Sequence, residues 1–201
     1  PFAPEGRYGI FEDILCAGND SVFELLGDVY DELASIFPGP WVHAGGDEAP
    51  KARWSACPRC RERMVKEHLR SAGGAADPDG ALDPELLQGW FMNRVAGILA
   101  ARGKRMVGWD EILDGASGGV HRQAALLDRD AVVMSWRGEA GGVEAARRGY
   151  EAVMCPQTKA CYLDHQHLDL PEERGNIGVC TVEDSYNYDP IPPVLSESEG
   201  A

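Results

Sequence analysis

Apolar positions recur along the chain in two patterns, and segments with the two patterns alternate. Helical spacing of three and four residues predicts helices at 21–37, 51–69, 84–103 and 141–148, with a break and a new turn at Pro58. Short, mostly apolar runs predict strands at 41–44, 105–109, 131–136 and 151–155. This alternation predicts an α/β fold around a parallel sheet, either doubly wound or closed as a barrel.

One stretch follows neither pattern. Residues 71–82 begin with the sequence SAGGAADPDG, which predicts a surface loop. No glycine-rich phosphate-binding fingerprint follows any predicted strand, so a doubly wound nucleotide-binding fold is the weaker alternative.

Acidic and aromatic residues follow every predicted strand. The strand ends read GGDE (45–48), GWDE (108–111), SWRG (135–138) and CPQTKACYLD (155–164). In an α/β barrel the chemistry gathers at the C-terminal ends of the strands. The combination predicts an active site with working carboxylates and with aromatic faces that hold a sugar or another flat apolar surface.

The bulk composition narrows the class of ligand. The net charge is −14, from 19 basic and 33 acidic residues, which argues against a nucleic acid as the main partner because phosphate binding needs Lys and Arg. No apolar run is long enough to span a membrane. The chain begins without Met and without a signal peptide pattern, and we expect both ends to have been cut from a longer protein.

The six cysteines include one close pair, Cys57 and Cys60. A structural zinc site needs a second pair of ligands, and nothing in the sequence fixes His165 or His167 near this pair. The spacing favours a helix cap with free thiols or a local disulfide, and a zinc site is the weaker alternative.

The strand-end motifs resemble those of one enzyme family. HAGGDE (43–48) resembles the H-x-G-G-D-E signature of glycoside hydrolase family 20, the β-N-acetylhexosaminidases, and GWDE, SW (135–136) and YLD (162–164) follow in the family's order. FEDILCAGND (11–20) and YNYDPIP (186–192) also resemble flanking family segments, so the resemblance covers residues 8–193. It implies a single incomplete catalytic domain over 1–201, part of a (β/α)8 TIM barrel with about strands 4 to 7 and their helices.

The resemblance implies a retaining, substrate-assisted hydrolysis of terminal β-linked N-acetylhexosamine, in which the sugar's own acetamido oxygen attacks C1 to form an oxazolinium intermediate. Glu48 is then the general acid and later the base, and Asp47 accepts the acetamido N–H. Neighbouring residues on a strand normally face opposite ways, and Gly45 and Gly46 tolerate the dihedral angles that relax this alternation. We expect Glu48 to be buried, because a general acid must hold its proton.

Further site residues are implied by the same resemblance. Trp109 and Trp136 wall the acetamido pocket, Tyr162 donates its hydroxyl to the acetamido oxygen, and Asp164 binds ring hydroxyls. Glu111, with Asp110, is interpreted as a supporting or loop acid. His43 is expected to be a packed, hydrogen-bonded residue in the middle of its strand.

Four strands are half of the family's barrel, so we expect an enzyme fragment that is inactive alone. The expected partners are N-acetylhexosamine-containing oligosaccharides or glycoconjugates, no metal or other cofactor is implied, and export from the cytoplasm is expected from the family. Two alternatives remain open: a degenerate carbohydrate-binding barrel, and a metal-dependent hydrolase with Asp47, Glu48 and His43 as ligands.

Overall fold

The computed structural model describes residues 12–71, 79–114, 127–157, 159 and 179–200. Helices and strands alternate through most of this part of the chain, as the sequence predicts. The helices are α1 (Ser21–Ile36), α2 (Ala52–Ala56), α3 (Pro58–Lys66), α4 (Pro84–Ala100), α5 (Glu111–Asp114), α6 (Ala140–Arg147) and α7 (Val182–Asn187). The strands are β1 (Trp41–His43), β2 (Arg105–Trp109), β3 (Val132–Ser135) and β4 (Glu151–Met154).

The four strands form one parallel sheet in the order β1-β2-β3-β4. Val42 pairs with Met106, Val107 pairs with Val132, and Val133 pairs with Ala152. Each strand therefore lies beside the next one in the chain, without the reversal of order that marks a doubly wound sheet. The structure thus decides between the two predicted architectures: this is an α/β fold that forms part of a (β/α)8 barrel.

Local sequence signals set the ends of the longer helices. The Asp83 side chain caps α4 by accepting a hydrogen bond from the Glu85 N–H at 3.0 Å, and Pro84 occupies the first helical turn. Gly103 and Gly149 follow α4 and α6 with φ values of 69° and 78°, which end the helices in the left-handed region. These three boundaries confirm the predicted ones.

The main core lies between the sheet and the helices α1, α4 and α6. Fully buried residues include Leu99, Ile112 and Val133, and the α1 residues Phe23 and Tyr30 are also buried. The central strands β2 and β3 are mostly buried, whereas β1 and β4 are the sheet edges. Trp41 on β1 is 57% exposed and Val153 on β4 is 44% exposed, so both edges leave apolar surface uncovered in the described part of the chain.

A second, smaller core joins the segment before α1 to α2, α3 and α4. Its buried members are Ala17, Trp54, Cys60, Met64, Leu69 and Leu87. Beside it, Arg70 and Leu82 form an antiparallel bridge, and the Ser71 N–H donates to the Ala81 carbonyl at 2.8 Å. These contacts close the ends of the predicted surface loop 71–82, whose residues 72–78 lie outside the described part.

Candidate active site

The C-terminal ends of the four parallel strands lie along one edge of the sheet, where the chemistry-bearing segments are brought together. Hydrogen bonding continues past the strands: the Trp109 N–H donates to the Gly45 carbonyl at 3.0 Å, and the Gln157 N–H donates to the Trp136 carbonyl at 2.8 Å. The segment after β1 is therefore fixed beside the end of β2, and the segments after β3 and β4 are fixed beside each other.

The two glycines after β1 have the backbone conformation that the motif requires. Gly45 has φ 76° and Gly46 has φ 99°, so regular strand alternation ends before the two acids. A Cβ on Gly46 would lie 2.5 Å from Ile112 Cγ2 and 3.3 Å from Met92 Cε, so this position also lacks room for a side chain. Glu48 itself has φ 44°, an uncommon conformation for a residue that is not glycine.

Asp47 and Glu48 are both exposed on the described surface. The expectation that Glu48 is buried is therefore wrong for this part of the chain. The reason is topological, because β1 is an edge strand here and nothing described covers the side of the segment away from β2.

Gln88 on α4 supports the segment after β1, a role that was not predicted from the sequence. The side chain is 2% exposed, and its Nε2 donates to the Gly46 carbonyl at 2.8 Å. The bond fixes the backbone carbonyl between Gly46 and Asp47, which no hydrogen bond of the sheet satisfies. A polar residue on the inward face of α4 is the only sequence signal that points to it.

His43 is the last residue of β1, not a mid-strand residue as expected. Its Nδ1 accepts a hydrogen bond from the Gly45 N–H at 3.0 Å, and its ring lies 4.6 Å from that of Trp109 between centroids. Partial burial lowers the pKa of His43, although the Asp47 carboxylate acts in the opposite direction. The imidazole is thus hydrogen-bonded as expected, with Nδ1 as an acceptor, but His43 is more than a third exposed and is not packed as expected.

Trp109 and Trp136 stand next to each other at the ends of β2 and β3. Their ring centroids are 6.5 Å apart and the ring planes meet at 67°, which makes two walls of an apolar corner. Both side chains are half-buried. The Trp136 Nε1–H donates to Glu111 Oε2 at 2.9 Å. Glu111, predicted to be a supporting acid, thus holds the Trp136 ring in place.

Asp110 and Glu111 are each 2% exposed, and the Arg137 side chain lies against both. Arg137 Nε is 3.1 Å from Asp110 Oδ1 and 3.8 Å from Glu111 Oε1. Burial and the neighbouring Glu111 carboxyl raise the pKa of Asp110 to about 7, against the lowering effect of the Arg137 charge. Asp110 and Glu111 were predicted as supporting acids, but Arg137 was not predicted as their partner. Arg137 lies in the SWRG segment, and its spacing from the two acids in the sequence does not indicate a contact.

A cavity of about 350 Å³ borders Asp110 and is also lined by Leu113, Arg137, Gly138, Ala140, Gly141 and Glu144. Asp47, Glu48, Trp109 and Trp136 do not line this cavity, and Asp110 is the one predicted acid among its lining residues. It therefore differs from the corner made by the two tryptophans.

Two of the predicted site residues, Tyr162 and Asp164, lie outside the described residues. Their roles remain predictions. The structure also bears on the metal-dependent alternative: within the described ranges, one set of three acidic, His or Cys ligand atoms is close enough to share an ion, and it contains none of Asp47, Glu48 and His43.

The chain is similar to known proteins over nearly all of its length. Residues 2–201 match the family model described as glycosyl hydrolase family 20, catalytic domain. A β-hexosaminidase of Porphyromonas gingivalis is 40% identical over 195 residues, which are 96% of this chain and 22% of that protein.

Solved structures give the same result. An exo-β-N-acetylglucosaminidase of Vibrio harveyi, solved in complex with N-acetylglucosamine, matches with 30% identity and a TM-score of 0.71, over 92% of this chain and 26% of that one. A chitobiase of Flavobacterium johnsoniae matches with 28% identity and a TM-score of 0.69, over 96% of this chain and 25% of that one. The chain thus spans about a quarter of the length of these relatives. Among the described residues, no helix is long and apolar enough to cross a membrane.

Proposed function

Because the chain belongs to glycosyl hydrolase family 20, we propose that it forms part of an enzyme that removes terminal β-linked N-acetylhexosamine from oligosaccharides or glycoconjugates. The reaction retains the anomeric configuration and proceeds through an oxazolinium intermediate formed by the substrate's own acetamido group. One observation carries the proposal: two adjacent carboxylates follow a pair of left-handed glycines at the edge of the sheet where the tryptophan corner also stands.

The two adjacent acids divide the work in this proposal. Glu48 protonates the leaving oxygen and then removes a proton from the incoming water. Asp47 accepts the acetamido N–H, which orients the acetamido oxygen towards C1 and stabilises the positive charge that develops. The positive φ values at Gly45, Gly46 and Glu48 support this division, because they free the two side chains from the opposite directions of a regular strand.

The tryptophan corner holds the acetamido methyl group in the same proposal. Trp109 and Trp136 offer two apolar faces, and an apolar wall keeps water away from the internal nucleophile. Glu111 acts through Trp136 as a positioning residue, since it accepts the indole N–H. Tyr162 and Asp164 complete the proposed site by binding the acetamido oxygen and the ring hydroxyls.

We assign residues 1–201 to one incomplete barrel domain. The match to the catalytic-domain model over residues 2–201 supports this assignment, as does a single sheet in which every strand neighbours the next. A barrel of this class has eight strands, and the described residues contribute four.

The test uses the protein expressed from its complete reading frame and two aryl N-acetyl-β-glucosaminides, one with a good and one with a poor leaving group. Glu48→Gln is expected to reduce turnover of the poor leaving group by about 100- to 10,000-fold, because general acid assistance is lost, and to affect the good leaving group far less. Glu32→Gln, at an exposed position on α1, is the matched control and should leave both rates unchanged.

Two outcomes would contradict the proposal. Equal losses with both leaving groups would remove Glu48 from the general acid role. A folded wild-type enzyme that binds N-acetylglucosamine without cleaving either substrate would favour the degenerate carbohydrate-binding alternative.

A further inference from the structure

Three cysteine side chains from two separate segments meet beside the second core. Cys16 Sγ lies 3.8 Å from Cys57 Sγ and 3.7 Å from Cys60 Sγ, and all three sulfurs lie within 4.8 Å of one another. All three are free thiols, and Cys60 is buried. The sequence shows only the pair at 57 and 60, because Cys16 is remote in the chain and the fold brings it to them.

The spacing of the sulfurs matches the coordination geometry of a metal ion. Four thiolates around Zn²⁺ at about 2.3 Å form a tetrahedron with edges of about 3.8 Å. Both distances from Cys16 agree with such an edge, whereas a disulfide would require about 2.0 Å. We propose that Cys16, Cys57 and Cys60 bind one Zn²⁺ ion, with a water molecule as the fourth ligand, at a site separate from the strand-end acids.

The backbone holds these ligands in place without help from an ion. Cys57 is the N-cap residue of α3 and Cys60 lies in its first turn, so the start of this helix fixes the positions of both residues. Gly18 brings the Cys16 segment against this turn: a Cβ there would lie 2.3 Å from the Arg59 carbonyl carbon and 2.6 Å from the Cys60 nitrogen. Only glycine permits so close an approach, and it is this approach that brings the Cys16 sulfur to the other two.

A fourth ligand has room to bind. A cavity of about 260 Å³ opens beside the sulfurs and is lined by Ile14, Cys16, Arg53, Trp54, Ala56, Cys57 and Cys60. Among the described residues no fourth Cys, His, Asp or Glu joins the cluster. The fourth position is therefore left to a water molecule.

An ion at this position would cross-link the segment before α1 to α2 and α3, the two helices that follow Glu48. Trp54 on α2 already donates its Nε1–H to the Leu15 carbonyl at 2.8 Å, next to Cys16. The metal would add a second connection between the same two segments. Since α2 and α3 follow soon after Glu48, the connection would fix the chain leaving the proposed active site.

The experiment measures metal content directly and does not depend on activity. The protein is expressed from its complete reading frame under reducing conditions, desalted, and analysed for zinc by mass spectrometry. We expect about one zinc per chain in the wild type and in the control Cys155→Ser, whose cysteine lies outside the cluster, and loss of that zinc in Cys16→Ser, Cys57→Ser and Cys60→Ser.

A second measurement covers variants that fail to fold. The wild-type protein is stripped with a chelator and titrated with Co²⁺, and thiolate-to-cobalt charge-transfer bands should appear and saturate at about one equivalent. Zn²⁺ should then displace the cobalt and remove the bands. The proposal is overturned by wild-type protein that holds no zinc and gives no such bands, by a disulfide among the three cysteines, or by zinc that all three serine variants retain.

Discussion

The backbone at Gly46 offers a direct test of how the strand end holds the two acids. Gly46→Ala introduces two costs. The φ of 99° is unfavourable for a residue with a Cβ, by about 1–2 kcal/mol. The new Cβ would also lie 2.5 Å from Ile112 Cγ2, and overpacking of this kind costs about 1–3 kcal/mol. The free energy of unfolding should therefore fall by about 2–5 kcal/mol.

Two other glycines separate these costs. Gly103 has a φ of 69°, and a new Cβ there would have nothing within 4 Å. Gly103→Ala should therefore lower the free energy of unfolding by the conformational cost alone, about 1–2 kcal/mol. Gly97→Ala, inside α4 and also with nothing within 4 Å, should be stabilising by about 0.5–1 kcal/mol.

Urea unfolding of the three variants, in protein from the complete reading frame, gives the ranking. The folded Gly46→Ala protein should also lose about 100-fold in kcat/KM on an aryl N-acetyl-β-glucosaminide, since a small displacement of the acids misaligns them. If Gly46→Ala costs no more than Gly103→Ala, or keeps full activity, the strand end does not depend on this glycine as argued.

The remaining predictions concern the acids and the tryptophan corner. Asp47→Asn should slow an aryl N-acetyl-β-glucosaminide by about 100-fold and reduce the preference for 2-acetamido over 2-hydroxy sugars; an unchanged preference would contradict the role of Asp47. The pKa of Asp110 is raised from 3.8 to about 7, so the folded state holds a proton that the unfolded chain has released, and the free energy of unfolding should fall as pH rises from about 4 to 7. That loss is at most about 4 kcal/mol. Urea unfolding between pH 4 and 7 should show that Asp110→Asn makes the free energy of unfolding depend less steeply on pH. An equally steep dependence in the variant would contradict the raised pKa of Asp110. Trp136→Phe removes the donor to Glu111 and leaves a buried carboxylate oxygen unsatisfied. It should lower the free energy of unfolding in urea by about 1–3 kcal/mol and raise KM. Unchanged values of both would show that the indole N–H has no positioning role.

Much of the fold follows from local signals in the sequence. The Asp83-Pro84 helix start and the glycines after α4 and α6 mark their boundaries, because capping and positive φ depend on residues near one another in the chain. The strand positions follow in the same way from continuous apolar runs such as VVMS in β3. The choice between a barrel and a doubly wound sheet needed the strand order, which no local signal contains.

The proposed site divides along the same line. The Gly45-Gly46 turn was predictable, because glycine is the residue type that readily adopts positive φ values. The Gln88 bond to Gly46, the Arg137 pair with Asp110 and the approach of Cys16 to Cys57 were not, since each joins residues that are far apart in the sequence. The exposure of Glu48 was missed for a related reason, because burial depends on what covers an edge strand and not on the strand itself.

The central claim is that the substrate's acetamido oxygen is the nucleophile. It is tested most directly with a series of aryl 2-acetamido-β-glucosides in which the acetyl methyl group carries none, one, two or three fluorines. Each fluorine withdraws electrons from the acetamido oxygen and weakens it as a nucleophile, so kcat should fall steadily through the series, and the plain β-glucoside should not be cleaved. A kcat that does not depend on fluorination, or comparable cleavage of the plain glucoside, would contradict the account.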